Sequence, residues 1–345
     1  MIKKQNYLKH AIVLFLLLLL MQPERAWAAY ENVEFSSLTN HDGLTNSQVG
    51  AILKDTRGYI WFGTQSGLCR FDGFRMKTFY YINTDDKSLP NNSVDELQQD
   101  YGGNIWVHTS VGYCIYKYDE EQFERKPEEW LKNIHVQGPP YKLLIDKDKN
   151  MWIAVYGQGL YYHNAKTKNT YLFKFTKKAQ PGCLKEGNIS KITEVDGDAL
   201  ITYGDGTICR VNGQKQKVLW YNSFLATHKA AGDNGAYTFY DGIGGFWVSV
   251  SNANYVYQSK TGKWTDARSY LTNMGIDIPC PTRILMRDIA RDKAGNLWVA
   301  SDHNGLFFVD FKRKICRQYV HSEAKGSIVD NSLQKVYVDD EGLFG

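Results

Sequence analysis

Eight polar or aromatic side chains follow shortly after successive repeats of one tryptophan position, and a ninth lies in a connecting segment. Amides, hydroxyls and aromatic rings suit a neutral sugar, because they hydrogen-bond to its hydroxyls and stack on its flat faces. Taken alone, each is also typical of a solvated loop. The candidate ligand-binding residues are Gln65, Ser66, Asn92, His108, Ser110, Tyr156, Gln158, His303 and Asn304.

The elements that carry these side chains are defined by seven acidic residues, each six positions before a tryptophan or its equivalent. The acidic residues are Asp55, Asp100, Asp146, Glu194, Asp241, Asp292 and Asp339, and the tryptophan positions are Trp61, Trp106, Trp152, Leu200, Trp247, Trp298 and Gly345. Several of the acids open an Asp-x-x-Gly step that ends at Gly58, Gly103 or Gly295. Such a step suits a hairpin turn, so the carboxylates are predicted to be structural rather than metal-binding or catalytic.

The positions recur every 45–51 residues, and a period of this length is typical of repeat architectures. Each repeat reads as strand, tight turn, strand, short loop and strand, with an outer strand marked by Phe35, Tyr80, Tyr221 or Tyr319. The sequence predicts an all-β fold, a seven-bladed β-propeller with four-stranded antiparallel blades, in which each tryptophan packs between blades. The loops between second and third strands would then share one face with the blade connections, around the mouth of a central channel.

The seventh blade is predicted to be incomplete. Its tryptophan position is Gly345, so only an inner strand at 334–339 and a turn are expected. Residues 33–38 resemble an outer strand and are expected to complete the last blade from the amino-terminal side, which removes free sheet edges. We therefore interpret 29–345 as one propeller domain, truncated in blade seven.

Residues 1–28 have the pattern of a secretory signal peptide. Lys3, Lys4 and Lys9 precede the apolar run 11–21, and Ala26-Trp27-Ala28 resembles a cleavage site. An uncleaved anchor is the alternative, although the run is short for a bilayer. The prediction is export to the periplasm.

Charge and cysteine content exclude several classes of protein. Of the net charge of +4, residues 1–28 account for +3, because Lys3, Lys4, Lys9 and Arg25 oppose only Glu24, which leaves 29–345 near +1. This balance does not indicate a nucleic-acid binder. The six cysteines form no C-x-x-C and are predicted to be small core residues without disulfides. No cofactor or metal site is predicted, because no metal-ligand spacing occurs.

Signals for catalysis are weak. The histidines of 29–345 lack metal-ligand or nucleophile spacing, and the paired acids Asp85-Asp86, Glu120-Glu121 and Asp339-Asp340 fall in predicted loops. Trp130 and Trp264 lie outside the repeat and are further stacking candidates, whereas Trp220 is predicted to be structural.

The stretch Asp55-x-x-Gly58-x-Ile60-Trp61-Phe62-Gly63-Thr64-x-x-Gly67-Leu68 resembles the two-component regulator propeller repeat. With 42–49 before it and 70–74 after it, the chain is similar to the periplasmic sensor region of hybrid two-component systems in gut Bacteroidetes. This resemblance implies a larger protein with two seven-bladed propellers, an immunoglobulin-like domain, one membrane helix, a histidine kinase, a receiver and a DNA-binding module. It also implies a membrane-anchored dimer that senses glycan fragments outside the inner membrane.

These observations predict a periplasmic ligand-sensing propeller that recognises an oligosaccharide and controls polysaccharide utilisation. No kinase module is recognised in the 345 residues, so this chain is predicted not to be an enzyme by itself. Two alternatives remain: a propeller enzyme acting on polysaccharide as a lyase or hydrolase, and a propeller that binds another protein. Clustered acids or a His–Tyr pair at the channel mouth would favour the enzyme, and an extended apolar face would favour the protein-binding alternative.

Overall fold

The structure, a computed structural model, describes residues 33–177, 183–227, 236–250, 253–280 and 284–339. Four consecutive strands form each sheet, and their antiparallel order follows the chain. The first sheet contains β1 (Val49–Lys54), β2 (Ile60–Thr64), β3 (Gly67–Phe71) and β4 (Met76–Phe79). The second contains β5 (Val94–Gln99), β6 (Ile105–Thr109), β7 (Gly112–Lys117) and β8 (Gln122–Glu124).

The remaining four sheets repeat this order. The third contains β9 (Pro140–Ile145), β10 (Met151–Val155), β11 (Gly159–His163) and β12 (Thr170–Thr176), extended by the short parallel strand β13 (Leu184–Lys185). The fourth contains β14 (Ile189–Val195), β15 (Asp198–Tyr203), β16 (Ile208–Asn212) and β17 (Lys217–Asn222). The fifth contains β18 (Ala236–Tyr240), β19 (Gly245–Val250), β20 (Ala253–Gln258) and β21 (Lys263–Asp266). The sixth contains β22 (Leu285–Arg291), β23 (Leu297–Asp302), β24 (Leu306–Asp310) and β25 (Ile315–Tyr319).

The sheets are the blades of a propeller. The inner strand β5 contacts the inner strands β1 and β9, and β14 contacts β9 and β18. Helices are few within the described ranges: Pro127–Lys132, Phe224–Thr227 and Ala267–Asn273, with a 3-10 turn at Asn40–Asp42. The predicted all-β architecture of four-stranded antiparallel blades is therefore confirmed.

The prediction of seven blades is wrong for the described residues, which form six. Residues 334–339 form no strand ladder, because a strand requires a neighbour that satisfies its backbone groups. Side chains hold this segment instead: Asp339 pairs with Lys54 of β1 at 2.9 Å, and Lys335 pairs with Asp288 of β22 at 3.4 Å. The segment therefore bridges the inner strands of the first and sixth blades.

The tryptophans pack between blades, as the repeat predicts. Trp61 is fully buried and meets Tyr116 and Tyr118, which follow the second blade's strands β6 and β7, at ring-centroid distances of 5.2 and 6.0 Å. Burying a large aromatic side chain in this way contributes roughly 3 kcal/mol. Leu200 replaces tryptophan in the fourth blade and is also fully buried.

The cysteines of the described residues are free. Cys69, Cys114, Cys209 and Cys280 are buried, whereas Cys183 and Cys316 are partly buried. Burial raises the pKa of the Cys316 thiol to about 12, which keeps it protonated at neutral pH.

Residues 33–37 and 321–329 form a small unit apart from the blades' chain. Within it, the Phe35 amide donates to the Gly326 carbonyl at 2.9 Å, and no strand is assigned there. The closure of the last blade by 33–38 stays a prediction. The predicted signal peptide, 1–28, lies outside the described residues, and none of the helices within them is long and apolar enough to cross a membrane.

Candidate functional site

The repeated aspartates organise the turns between first and second strands. Asp55 Oδ1 accepts the Arg57 and Tyr59 amides at 2.9 and 3.0 Å, and its Oδ2 accepts Trp61 Nε1 at 2.7 Å. The same bond from indole to carboxylate recurs in three further blades, from Trp106 to Asp100, from Trp247 to Asp241 and from Trp298 to Asp292. These carboxylates are therefore structural, and the spacing of six residues positions each one for its tryptophan.

The opposite ends of the same strands surround a cavity of about 1250 Å³. Turns between second and third strands line it at 108–112, Tyr156 and 203–205, and segments that open inner strands line it at 139–142 and 185–190. Ala226 and Tyr237 complete the lining, so the second to fifth blades all contribute. The predicted coincidence of these loops with the blade connections is therefore seen in this cavity.

Five inner strands carry a β-bulge at the cavity end. The register with the second strand shifts at Gly50, Asp95, Tyr141, Ser190 and Arg287. A bulge inserts one residue and redirects its side chain. Each of three bulged residues then meets a partner at the end of its own second strand, in the pairs Asp95–His108, Tyr141–Tyr156 and Arg287–Asp302.

Two stacked tyrosine rings form one wall of the cavity. The rings of Tyr141 and Tyr156 lie 4.0 Å apart between centroids at an interplanar angle of 19°. Tyr156 is 69% exposed, so one face of its ring is available to a ligand. Burial raises the pKa of Tyr141 to about 12, which leaves its hydroxyl neutral at physiological pH. The pair is a rigid aromatic platform, the surface on which a sugar ring stacks.

Charged side chains at the cavity are mostly paired. Lys142 contacts Glu96 at 2.9 Å, and Lys185 contacts Asp205 at 2.9 Å. Burial opposes the charge on both Glu96 and Lys142, but their mutual attraction outweighs it, so the pKa of Glu96 is lowered and that of Lys142 is raised. These opposite shifts favour the ion pair.

His108 and Tyr113 are the His–Tyr pair that the enzyme alternative requires. Their rings lie 4.5 Å apart, and His108 lines the cavity. The Tyr113 hydroxyl, however, donates to Glu96 at 2.6 Å and accepts the Leu143 amide at 3.1 Å. Burial and the Glu96 charge raise the pKa of Tyr113, which opposes its use as a base. His108 Nδ1 lies 2.5 Å from Asp95, a pair that orients the ring.

The structure brings three of the nine predicted residues into this cavity: His108, Ser110 and Tyr156. Gln158 lies beside it, where its amide donates to the Gln137 carbonyl at 2.8 Å and accepts from Tyr161 at 2.5 Å. The other five lie in the first and sixth blades, outside the lining: Gln65, Ser66, Asn92, His303 and Asn304.

These five mainly hold neighbouring loops. Gln65 accepts from the Ser93 hydroxyl at 2.9 Å, Ser66 accepts from Asn46 at 3.0 Å, and Asn92 accepts the Tyr81 amide at 2.7 Å. His303 contacts the Ser332 hydroxyl at 2.8 Å. The Asn304 side chain lies 3.5 Å from Cys280 Sγ.

The off-repeat tryptophans pack inside blades rather than in the cavity. Trp130 meets Trp106 edge-on at 5.3 Å. Trp264 stacks on Phe224 at 5.6 Å and donates to Asn222 at 3.1 Å. Trp220, predicted to be structural, packs against Phe246 and Tyr257.

Sequence reasoning missed most of the inner-strand residues at the cavity. Tyr141, Lys142, Ser190 and Tyr237 lie at or beside the bulge position. The acid-to-tryptophan spacing marks the far end of the same strands, so counting back from each tryptophan would have found them. A second cavity of about 380 Å³ between the fifth and sixth blades is lined mainly by apolar side chains such as Trp247, Leu271 and Phe307. Within the described ranges no three His, Cys, Asp or Glu side chains are grouped to hold a metal ion.

Residues 43–66 match the family model described as Two component regulator propeller, so the predicted resemblance to this repeat is confirmed. No curated protein matches the chain. Among solved structures, the chain is similar to the "extracellular domain of the putative hybrid two component system BT3049 from B. thetaiotaomicron", with a TM-score of 0.65 and 19% identity over 91% of this chain and 40% of that one.

A second similar structure is the "extracellular domain of the putative one component system BT4673" of the same organism. Its TM-score is 0.58 and its identity 16%, over 90% of this chain and 41% of that one. At these identities the likeness shows the propeller fold. The chain spans about two fifths of the length of both structures.

Proposed function

We propose that this propeller is the ligand-binding part of an extracellular sensor in a two-component signalling system, and that its ligand is an oligosaccharide. The match to the regulator propeller repeat and the descriptions of the similar structures support the sensor role. The complete protein would be anchored in the inner membrane, with this domain in the periplasm. Binding would shift a dimer between two conformations.

The observation that carries the proposal is the exposed Tyr141–Tyr156 platform on the wall of a polar cavity. Ser110, Asn188 and Ser190 line the same cavity and supply hydroxyl and amide groups for hydrogen bonds to sugar hydroxyls. Its volume of about 1250 Å³ exceeds the roughly 300–1,000 Å³ of ordinary small-molecule sites, so it has room for several sugar rings.

Catalysis is the less favoured function of this site. The His108–Tyr113 pair has the residue types of a lyase, but the Tyr113 hydroxyl is buried and held by Glu96 and Leu143. A general base must reach the proton it removes, and this hydroxyl faces the protein. Binding therefore fits the geometry better than bond cleavage.

Isothermal titration calorimetry with oligosaccharides released from plant and host polysaccharides tests the proposal. We expect at least one to bind, and Tyr156→Ala to weaken it about tenfold, since one aromatic stacking contact is worth roughly 0.5–1.5 kcal/mol. Phe74→Ala is the matched control. Phe74 is 94% exposed in the turn between β3 and β4, away from the cavity, and its removal should leave affinity unchanged. Absence of binding across the panel, or equal losses in both variants, would contradict the proposal.

A further inference from the structure

The inner strands present one side chain each at an equivalent position, two residues before the residue that pairs with the tryptophan position. Pairing of Trp61 with Leu53, Trp106 with Gln98 and the corresponding pairs in the other blades defines this register. The residues at the position are Ala51, Glu96, Lys142, Lys191, Tyr237 and Asp288. We call these six residues the channel ring.

Members of the channel ring share one space. Glu96 and Lys142 touch across two blades at 2.9 Å, and Asp288 of the sixth blade pairs with Lys335 at 3.4 Å. Lys191 experiences the charges of Asp288, Lys335, Glu96 and Lys142, which come from four different segments of the chain. Charges interact appreciably only over short distances in salt solution, so these side chains face a common channel.

Lys191 is the exception to pairing in the channel ring. No hydrogen bond or ion pair to its ammonium occurs within the described parts of the chain, whereas Glu96 is engaged by Lys142 and Asp288 by Lys335. Nearby Asp95 is held by His108, and Arg287 by Asp302. Burial lowers the pKa of Lys191, as expected for an ammonium that no nearby anion fully compensates.

The position of Lys191 connects it with the larger cavity. Its neighbours in the chain, Ser190 and Ile189, line that cavity, and so does Tyr237 of the adjacent blade. Tyr237 and Lys191 also line a small recess of about 30 Å³ beside Asp288. Tyr237 is 55% exposed and offers a ring face next to the ammonium. A ligand in the cavity can therefore reach Lys191 past Tyr237.

We infer that Lys191 is an anion-binding residue and that the cavity takes a saccharide bearing a carboxylate, such as a uronic acid. This inference rests on the proposed function and specifies its ligand class. A buried or partly buried ammonium gains stability from an anion that replaces lost water, and a charge-assisted hydrogen bond is stronger than a neutral one. The Tyr141–Tyr156 platform would hold the sugar rings while Lys191 selects for the carboxylate.

The first test compares matched ligands by calorimetry. Each neutral oligosaccharide of the panel is used beside the same oligosaccharide oxidised at C6 to the uronate. In the unaltered protein the uronate should bind about tenfold more tightly than its neutral parent, and Lys191→Gln should abolish this advantage without weakening the neutral ligand. Lys191→Arg should retain the preference. Lys147→Gln, which removes a cation paired with Glu194 in a turn between β9 and β10, should not change it.

The second test needs no oligosaccharide. Lysines are labelled by reductive ¹³C-methylation, the Lys191 resonance is assigned with Lys191→Arg, and sodium glucuronate, glucose and sodium acetate are titrated in turn. Saturable movement with glucuronate, and much less with glucose or acetate, supports the inference. No movement with glucuronate overturns it, and equal movement with acetate reduces the site to one for free anions and overturns the saccharide assignment.

The two tests separate this inference from the proposed function. Neutral oligosaccharides that bind through Tyr156 while Lys191 stays silent would leave the sensor proposal standing and refute the anionic ligand. Conversely, a selective glucuronate response without binding of any oligosaccharide would support the Lys191 site and contradict the sensing of oligosaccharides.

Discussion

Asp55 shows how one residue type can define a repeat without taking part in chemistry. Its two oxygens accept the Arg57 and Tyr59 amides, the Trp61 indole and the Tyr118 hydroxyl of the next blade. The carboxylate is 5% exposed, so its charge is stabilised by these donors rather than by water. Tight turn, second strand and blade-to-blade contact therefore depend on one side chain.

We predict that Asp55→Ala lowers the free energy of unfolding by about 3 kcal/mol, because it leaves buried donors without acceptors. Urea denaturation followed by tryptophan fluorescence measures the loss. Asp72→Ala is the control, since Asp72 also accepts two turn amides, from Phe74 and Arg75, but is fully exposed. Its effect should be much smaller. Comparable losses in the two variants would show that the buried network adds nothing beyond the turn.

At the scale of the element, the strands of a blade serve opposite purposes at their two ends. One end carries the aspartate turn, whereas the other carries the bulge that directs Asp95, Tyr141 and Arg287 toward the ends of second strands. The third strand begins with glycine in three blades, at Gly67, Gly112 and Gly159. The space around these glycines differs, and this difference makes the packing of the blade end testable.

Gly159→Ala should destabilise the protein by about 2 kcal/mol more than Gly112→Ala. Both residues have positive φ, 150° and 118°, so both substitutions strain the backbone. A Cβ at Gly159 would lie 2.1 Å from the Phe173 carbonyl oxygen, whereas one at Gly112 meets nothing within 4 Å. Thermal and urea unfolding of the two variants measure the difference. Equal destabilisation would mean that β12 yields without cost.

Local features of the sequence were enough to predict the strands and turns of each blade. Hairpin turns and buried strands depend on neighbouring residues, so the spacing from Asp55 to Trp61 is visible in a single repeat. The bulges at Tyr141 and Ser190 were not predictable in the same way, because a bulge is defined by the register between two strands. For this reason Tyr156 was found and its stacking partner Tyr141 was missed.

For the whole molecule, the count of blades and the place of the site depend on long-range pairing. Seven acidic positions predicted seven blades, but only six sets of four strands pair within the described residues. The segment 334–339 keeps the spacing of the repeat and is held by Lys54 and Asp288 without forming a ladder. The cavity draws on the second to fifth blades, so candidate residues in the first and sixth blades fall outside it.

Amide hydrogen exchange, with and without a bound oligosaccharide from the panel, tests most directly whether the cavity is the sensory site. We predict slower exchange in segments 109–112, 137–142 and 185–190, which open onto the cavity, because a ligand there excludes water and restrains the loops. The aspartate turns 55–59 and 100–104 at the other end of the blades should exchange as in the free protein. Protection confined to those turns, or unchanged exchange around the cavity at saturating ligand, would contradict the account.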